Sequence, residues 1–143
     1  MMKIAARHKN SKGQSSVETA FALLIALAFF MFLWDGINLG YNWVSLQFVL
    51  GRGLQDVQMQ KSAATTRANI TANATSLGVN TGLVATVRFG GNDLAWHQGP
   101  RPLAVITLQR TVDFGPFLRV VFQGFSMAPQ VTIRVHGYAE TPP

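Results

Sequence analysis

The chain has six Asp or Glu, three His and no Cys in 143 residues, so the chemistry open to it is narrow. Without cysteine there is no disulfide, no thiolate zinc site and no cysteine nucleophile. His97 and His136 lack the close spacing of neighbouring ligands, and no metal site is expected. No Gly-rich phosphate loop, nucleophile elbow or paired-carboxylate pattern is present, so neither an enzyme nor a cofactor is expected. The residue at odds with its surroundings is Glu18. It stands just ahead of AFALLIALAFFMFLW, Ala20 to Trp34, fifteen residues without a polar side chain. A carboxylate inside a membrane-spanning segment costs about 2.5 to 3.5 kcal/mol on insertion scales and usually marks a function or a partner. The bland alternative is a Glu18 that snorkels to the interface as a tolerated polar residue.

The element that must position Glu18 is a helix. From Gln14 to Trp34 it has 21 residues and is about 32 Å long, against a hydrocarbon core of about 30 Å. A buried core helix is the other reading, but fifteen consecutive apolar residues leave no polar face for solvent. The composition agrees: 48% of the chain is hydrophobic and 13% charged, about half the usual charged fraction of ~25%. Lys3, Arg7, Lys9 and Lys12 precede the span with no acid among them, whereas Asp35 directly follows it. That asymmetry places the N-terminus in the cytoplasm and the rest of the chain outside. A cleaved secretory peptide would end its apolar run at a small-x-small site; this run ends Met31-Phe32-Leu33-Trp34-Asp35-Gly36, which is bulky. An uncleaved signal anchor stays open.

Lys12-Gly13-Gln14-Ser15-Ser16-Val17-Glu18, followed by the apolar run, resembles a type IV prepilin signal. Within that class, Gly13-Gln14, Val17-Glu18, the Asp35-Gly36 exit and the tail Tyr138-Ala139-Glu140-Thr141-Pro142-Pro143 are closest to the TadE-like pseudopilins of tight-adherence (Tad/Flp) pilus systems. The specific part of the resemblance is residues 13 to 36. There are two departures from it: Thr19 replaces the frequent aromatic residue, and Gly51 and Gly53 stand where Ala is common. The resemblance implies that a membrane prepilin peptidase cuts between Gly13 and Gln14 and methylates the new amine of Gln14. It also implies that Glu18, fifth in the mature chain, pairs with the amine of a neighbouring subunit. A side-chain-free Gly13 suits an extended backbone in a protease cleft. A buried carboxylate satisfied only in the assembled bundle would favour one axial register.

Beyond Trp34 no proline occurs before Pro100, so the helix is expected to continue. Leu39, Trp43, Leu46, Leu50, Leu54 and Val57 recur at three or four, with Asn38, Asn42, Ser45, Arg52 and Asp56 elsewhere on the wheel, an amphipathic pattern. Residues 61–81 are Ala-, Thr-, Asn- and Ser-rich, a second short helix or a connection. Leu83 to Phe89, Leu103 to Val112 and Val131 to Tyr138 read as strands, parted by Gly90-Gly91-Asn92-Asp93 and Gly99-Pro100-Arg101-Pro102. Phe114 to Phe122, interrupted by Gly115-Pro116, reads as a loop or short helix. The expected organisation is a basic leader (1–13), a transmembrane helix (14–35), its amphipathic extension (36–60) and an extracytoplasmic α+β domain (61–143). The fold class is α+β and, by resemblance, pilin-like: a long N-terminal membrane-spanning helix followed by a small, mainly antiparallel sheet. An external domain of this size is marginal alone, so the exposed half of the helix should complete its core.

The formal charge of +6 is mostly a property of the leader. Without residues 1–13, eight basic residues face six acidic ones, and no nucleic-acid partner is expected. Arg88, Arg110 and Arg134 could line one strand face, although scattered solvated positions are the favoured reading. Gly36-Ile37-Asn38-Leu39-Gly40 fits a GxxxG close-packing motif but reads better as a weak point in the helix. Asn69 and Asn73 begin glycosylation sequons that are read as coincidence. The resulting expectation is a minor pilin-like subunit of an adhesive pilus in the bacterial inner membrane. Its implied partners are the prepilin peptidase, other pilin or pseudopilin subunits, inner-membrane assembly proteins and membrane lipid. The alternatives are a minor pseudopilin of a type II secretion or competence system, and an unprocessed single-pass binding module.

Overall fold

With no proline in its path, the apolar segment and the residues after it form one helix. In a computed structural model, which describes residues 11–89 and 103–140 with side chains from Ser16 onward, α1 (Ser11–Gln58) runs 48 residues, about 72 Å. It passes through Gly36 and Gly40 as continuous helix. Leader residues 1–10, His97, Arg101, the turns at 90–93 and 99–102, and Thr141 to Pro143 lie outside the described residues.

Four elements of the remaining chain wrap the C-terminal half of α1: α2 (Ala63–Ser76), β1 (Leu83–Phe89), β2 (Leu103–Asp113) and β3 (Gln130–Glu140). The segment expected as a second helix or a connection is helix α2. Ser62 starts it by accepting a hydrogen bond from the Thr65 amide at 3.2 Å, satisfying one of the first-turn donors. Gly78, at φ +67, turns the chain away at the other end, where only a residue without Cβ avoids strain.

The strands form an antiparallel meander in the order β1-β2-β3, with Leu83 opposite Arg110 and Arg110 opposite Ile133. Alternation puts Val87, Ala104, Ile106, Leu108, Val135 and Ala139 on one face, and these bury against Leu46, Val49, Leu50 and Val57 of α1 and Ile70 and Ala74 of α2. Leu46, Ile70, Ile106 and Leu108 are fully buried, each contributing about 1.5 to 3 kcal/mol. Two glycines allow the close approach. A Cβ on Gly53 would meet Ile70 Cδ1 at 2.9 Å and Ile106 Cδ1 at 3.1 Å, and one on Gly137 would meet Leu54 Cδ1 at 2.8 Å. Gly53, a poor helix former in sequence, is thus a packing requirement.

The face that α1 buries is rotated from the expected one. Leu46, Leu50 and Val57 are buried, but Trp43 is exposed, and Asn42 and Ser45 are buried in its place. The buried Asn42 faces Arg110. Its guanidinium reaches from β2 to Asn42 Oδ1, while Asn42 Nδ2 donates to the Asn38 carbonyl at 2.8 Å. A buried amide with both ends bonded is tolerated facing a core. The same contact breaks up any basic face of Arg88, Arg110 and Arg134: the register sets Arg110 on the helix-facing side, and Arg88 and Arg134 on the other.

Between β2 and β3 the Gly115-Pro116 segment is a short helix, α3 (Pro116–Gly124), with Pro at a first-turn position that needs no N–H.

Candidate functional site

Gly13 and Gln14 lie in the first turn of α1, and Glu18 follows one turn later on the same helix. Gln14 and Glu18 are four apart, hence neighbours on one helix face and about 6 Å apart along the axis. Glu18 is exposed, about 26 Å along the helix from Asp35. The sequence motif is therefore gathered on α1 alone.

Among the described residues one helix is long and apolar enough to cross a membrane, and its apolar stretch is almost wholly uncovered. That exposure continues past Trp34. Leu23, Leu27, Phe30, Trp34, Ile37, Tyr41, Val44 and Phe48 are all exposed, and they repeat at alternating intervals of four and three, a heptad-like seam. At about 100° per residue, this seam lies roughly opposite the stripe of Asp35, Asn42, Leu46, Val49 and Val57 that the domain covers. One side of α1 is thus covered by its own domain, which touches the seam at Tyr41, and the other presents apolar side chains far beyond the length a bilayer would cover.

At the end of the apolar run α1 is tied to the domain by Asp35, whose side chain is buried with 1% exposure. Asp35 Oδ2 accepts a hydrogen bond from the Leu118 amide at 2.8 Å. Leu118 is in the first turn of α3, whose N-cap residue, Gly115, has no side chain to offer. A Cβ at Gly115 would fall 1.6 Å from Asp35 Oδ1. The carboxylate of α1 thus occupies the space of the missing cap and performs its function from another helix, where a negative charge is also favoured by the α3 dipole. Phe32, one turn earlier on α1, meets Phe117 edge to face with centroids 6.0 Å apart.

No family model, curated protein or solved structure matches the chain.

Above Asp35 the domain is bonded to α1 at successive heights. Tyr41 Oη donates to the Leu77 carbonyl at 2.9 Å. Next comes the Arg110–Asn42 contact, and Arg110 Nε also donates to the Thr81 carbonyl at 3.1 Å. Burial pulls the Arg110 guanidinium below its ordinary value, and Tyr41 opposes the shift. At the far end of α1, Asp56 accepts from Lys61 Nζ at 2.6 Å and from Asn69 Nδ2 at 2.7 Å. Burial pushes the Asp56 carboxyl up, but these two hydrogen bonds and the Lys61 charge together outweigh it, and the group sits below its ordinary value. Asn69, notable in the sequence only as a sequon, thus ties α2 to α1.

Sequence reasoning singled out Gly13, Gln14 and Glu18 and missed the roles of Asp35 and Arg110. Two signals pointed to Asp35: a lone acid ending an apolar run, and a helix start at Gly115-Pro116 with no capping side chain. His136, on the solvent face of β3, lies 3.3 Å from Thr107 Oγ1 through Nδ1.

Proposed function

We propose that the chain is a pilin-like assembly subunit of the TadE-like kind, a minor component in the building of a Tad/Flp-type adhesive pilus. In this reading a prepilin peptidase cuts between Gly13 and Gln14, the Gln14 amine is methylated, and α1 stays in the bacterial inner membrane with the domain outside. The observation that carries the reading is the apolar seam on α1 that continues from Trp34 to Phe48. Within lipid an apolar surface gives no hydrophobic drive for helix association. In water it does, and the exposed Ile37, Val44 and Phe48 are a surface that a neighbouring helix would cover. A subunit that packs only through such a seam would slide axially. A pairing of the Glu18 carboxylate with the amine of an adjacent subunit would fix the register.

The deciding measurement is the N-terminus of the chain made with and without a prepilin peptidase. A chain that begins at Gln14 only when the peptidase is present supports the reading, and one never cut there overturns it. In the processed chain, Glu18→Ala should abolish crosslinking between subunits while membrane insertion persists; unchanged crosslinking would remove the charge-pair mechanism.

A further inference from the structure

The contacts along α1 arrange the domain by height. Asp35 holds Gly115 and Leu118, Asn42 holds Arg110, and Leu50 and Leu54 face Gly137. The turn from β2 to β3 is therefore the end of the domain nearest the apolar run, and α3 is that turn. Phe117 touches Phe32, inside the apolar run itself, so the first turn of α3 sits at the depth of side chains that precede the exit residue Trp34.

No residue of α3 is buried. At 100° per residue, Phe117, Leu118, Val120, Val121, Phe122 and Phe125 span one broad arc of its surface, and Arg119 and Gln123 occupy the opposite arc. Val120 and Phe125 are 70% and 72% exposed, and Met127 just beyond is also exposed. A domain surrounded by water would not present this cluster at one end, whereas a helix at a headgroup boundary would.

We infer that α3 is a membrane-interface element: Phe117 and Phe122 pack on Phe32 and Phe114, and the exposed Val120, Val121, Phe125 and Met127 insert into the leaflet from which α1 emerges. The inference rests on reading residues 14–34 as a bilayer span. The bilayer is the occupant because the patch is continuous with the apolar run: Asp35 fixes the α3 N-terminus there, and the Phe32–Phe117 contact sets its depth. The domain then has two membrane attachments, α1 and α3, and its tilt is fixed. Arg119 and Gln123 remain on the headgroup side.

The absence of cysteine makes a direct test clean. Full-length Leu27→Cys, Val84→Cys, Val121→Cys and Phe125→Cys variants, all at exposed positions, are labelled with an environment-sensitive fluorophore. They are reconstituted in phosphatidylcholine vesicles carrying a nitroxide on the upper acyl chain. The labels at 121 and 125 should be quenched within about twofold of the label at 27, and the label at 84, on the sheet, should stay near its unquenched intensity. If 27 is quenched while 121 and 125 behave like 84, α3 is in water and the inference is overturned with the span intact. If 27 is itself unquenched, the span reading fails first. If labels at 121 and 125 are shielded only as protein density in the vesicles rises, a second copy covers the patch and the lipid assignment is wrong.

Discussion

The capping of α3 by a residue of α1 makes a prediction that no local cap would make. Asp35→Ala removes the acceptor of the Leu118 amide. Loss of an N-cap side chain typically costs about 0.5 to 2 kcal/mol. A charged acceptor belongs in the upper part of that range, but Asp35 is buried and its Oδ1 has no partner among the described residues, a desolvation cost that the substitution relieves. The balance is about 1 to 1.5 kcal/mol, or roughly a tenfold rise in the opening of α3. Gly115→Ser alone should also destabilise, because its Cβ would lie 1.6 Å from Oδ1. In the double variant Asp35→Ala/Gly115→Ser the obstructing carboxylate is gone and the new hydroxyl sits at an ordinary N-cap. Most of the loss should therefore be recovered, a coupling of at least about 1 kcal/mol between residues far apart in sequence. Asp35→Asn, which keeps an acceptor, should change little. Amide hydrogen exchange of residues 117–124 in the full chain, reconstituted in lipid, reads the effect directly, with the β2 and β3 amides as internal reference. Strictly additive losses in the double variant, or α3 exchange unmoved by Asp35→Ala, would refute the remote cap.

Two further expectations concern packing and pH. Gly53→Ala and Gly137→Ala should each lower stability by about 1 to 3 kcal/mol through overpacking, whereas Gly51→Ala, with nothing within 4 Å of its Cβ position, should raise it by about 1 kcal/mol; thermal unfolding of the full chain in detergent separates the signs. The lowered Asp56 carboxyl contributes stability that is fully present above its unfolded value of 3.8 and is lost as pH falls through the lower folded value. Asn69→Ala, removing one of the bonds that lowers it, should move the Asp56 titration upward in a carboxyl-detected NMR experiment and shrink that acid-sensitive contribution.

Much of the architecture was legible because it depends on local pattern. The strands were placed by alternation of β-branched residues and α1 by an unbroken apolar run with no proline. The helical face was read less well. Counting apolar residues put Trp43 toward the core and Asn42 away from it, because periodicity gives a side chain's direction but not its partner. Only the fold brings Arg110 from β2 to Asn42 and so gives the buried amide its partner. Gly53 shows the same limit: in sequence it is a poor helix former, and in the structure it is the space that Ile70 fills.

By itself the sequence determined a helix long enough to cross a bilayer, the charge asymmetry across it, the Gly13-Gln14 and Glu18 pattern, and three strands to follow. Those features are written in composition and spacing along one segment at a time. Tertiary structure alone decided which side of α1 the domain covers and which side remains as an apolar seam. It also decided that Asp35 caps a helix formed by Pro116–Gly124, and that this helix lies beside the end of the apolar run. The physical reason is that a hydrogen bond or a steric fit between residues so far apart in sequence is specified by the sheet register and the helix rotation, neither of which any single segment encodes.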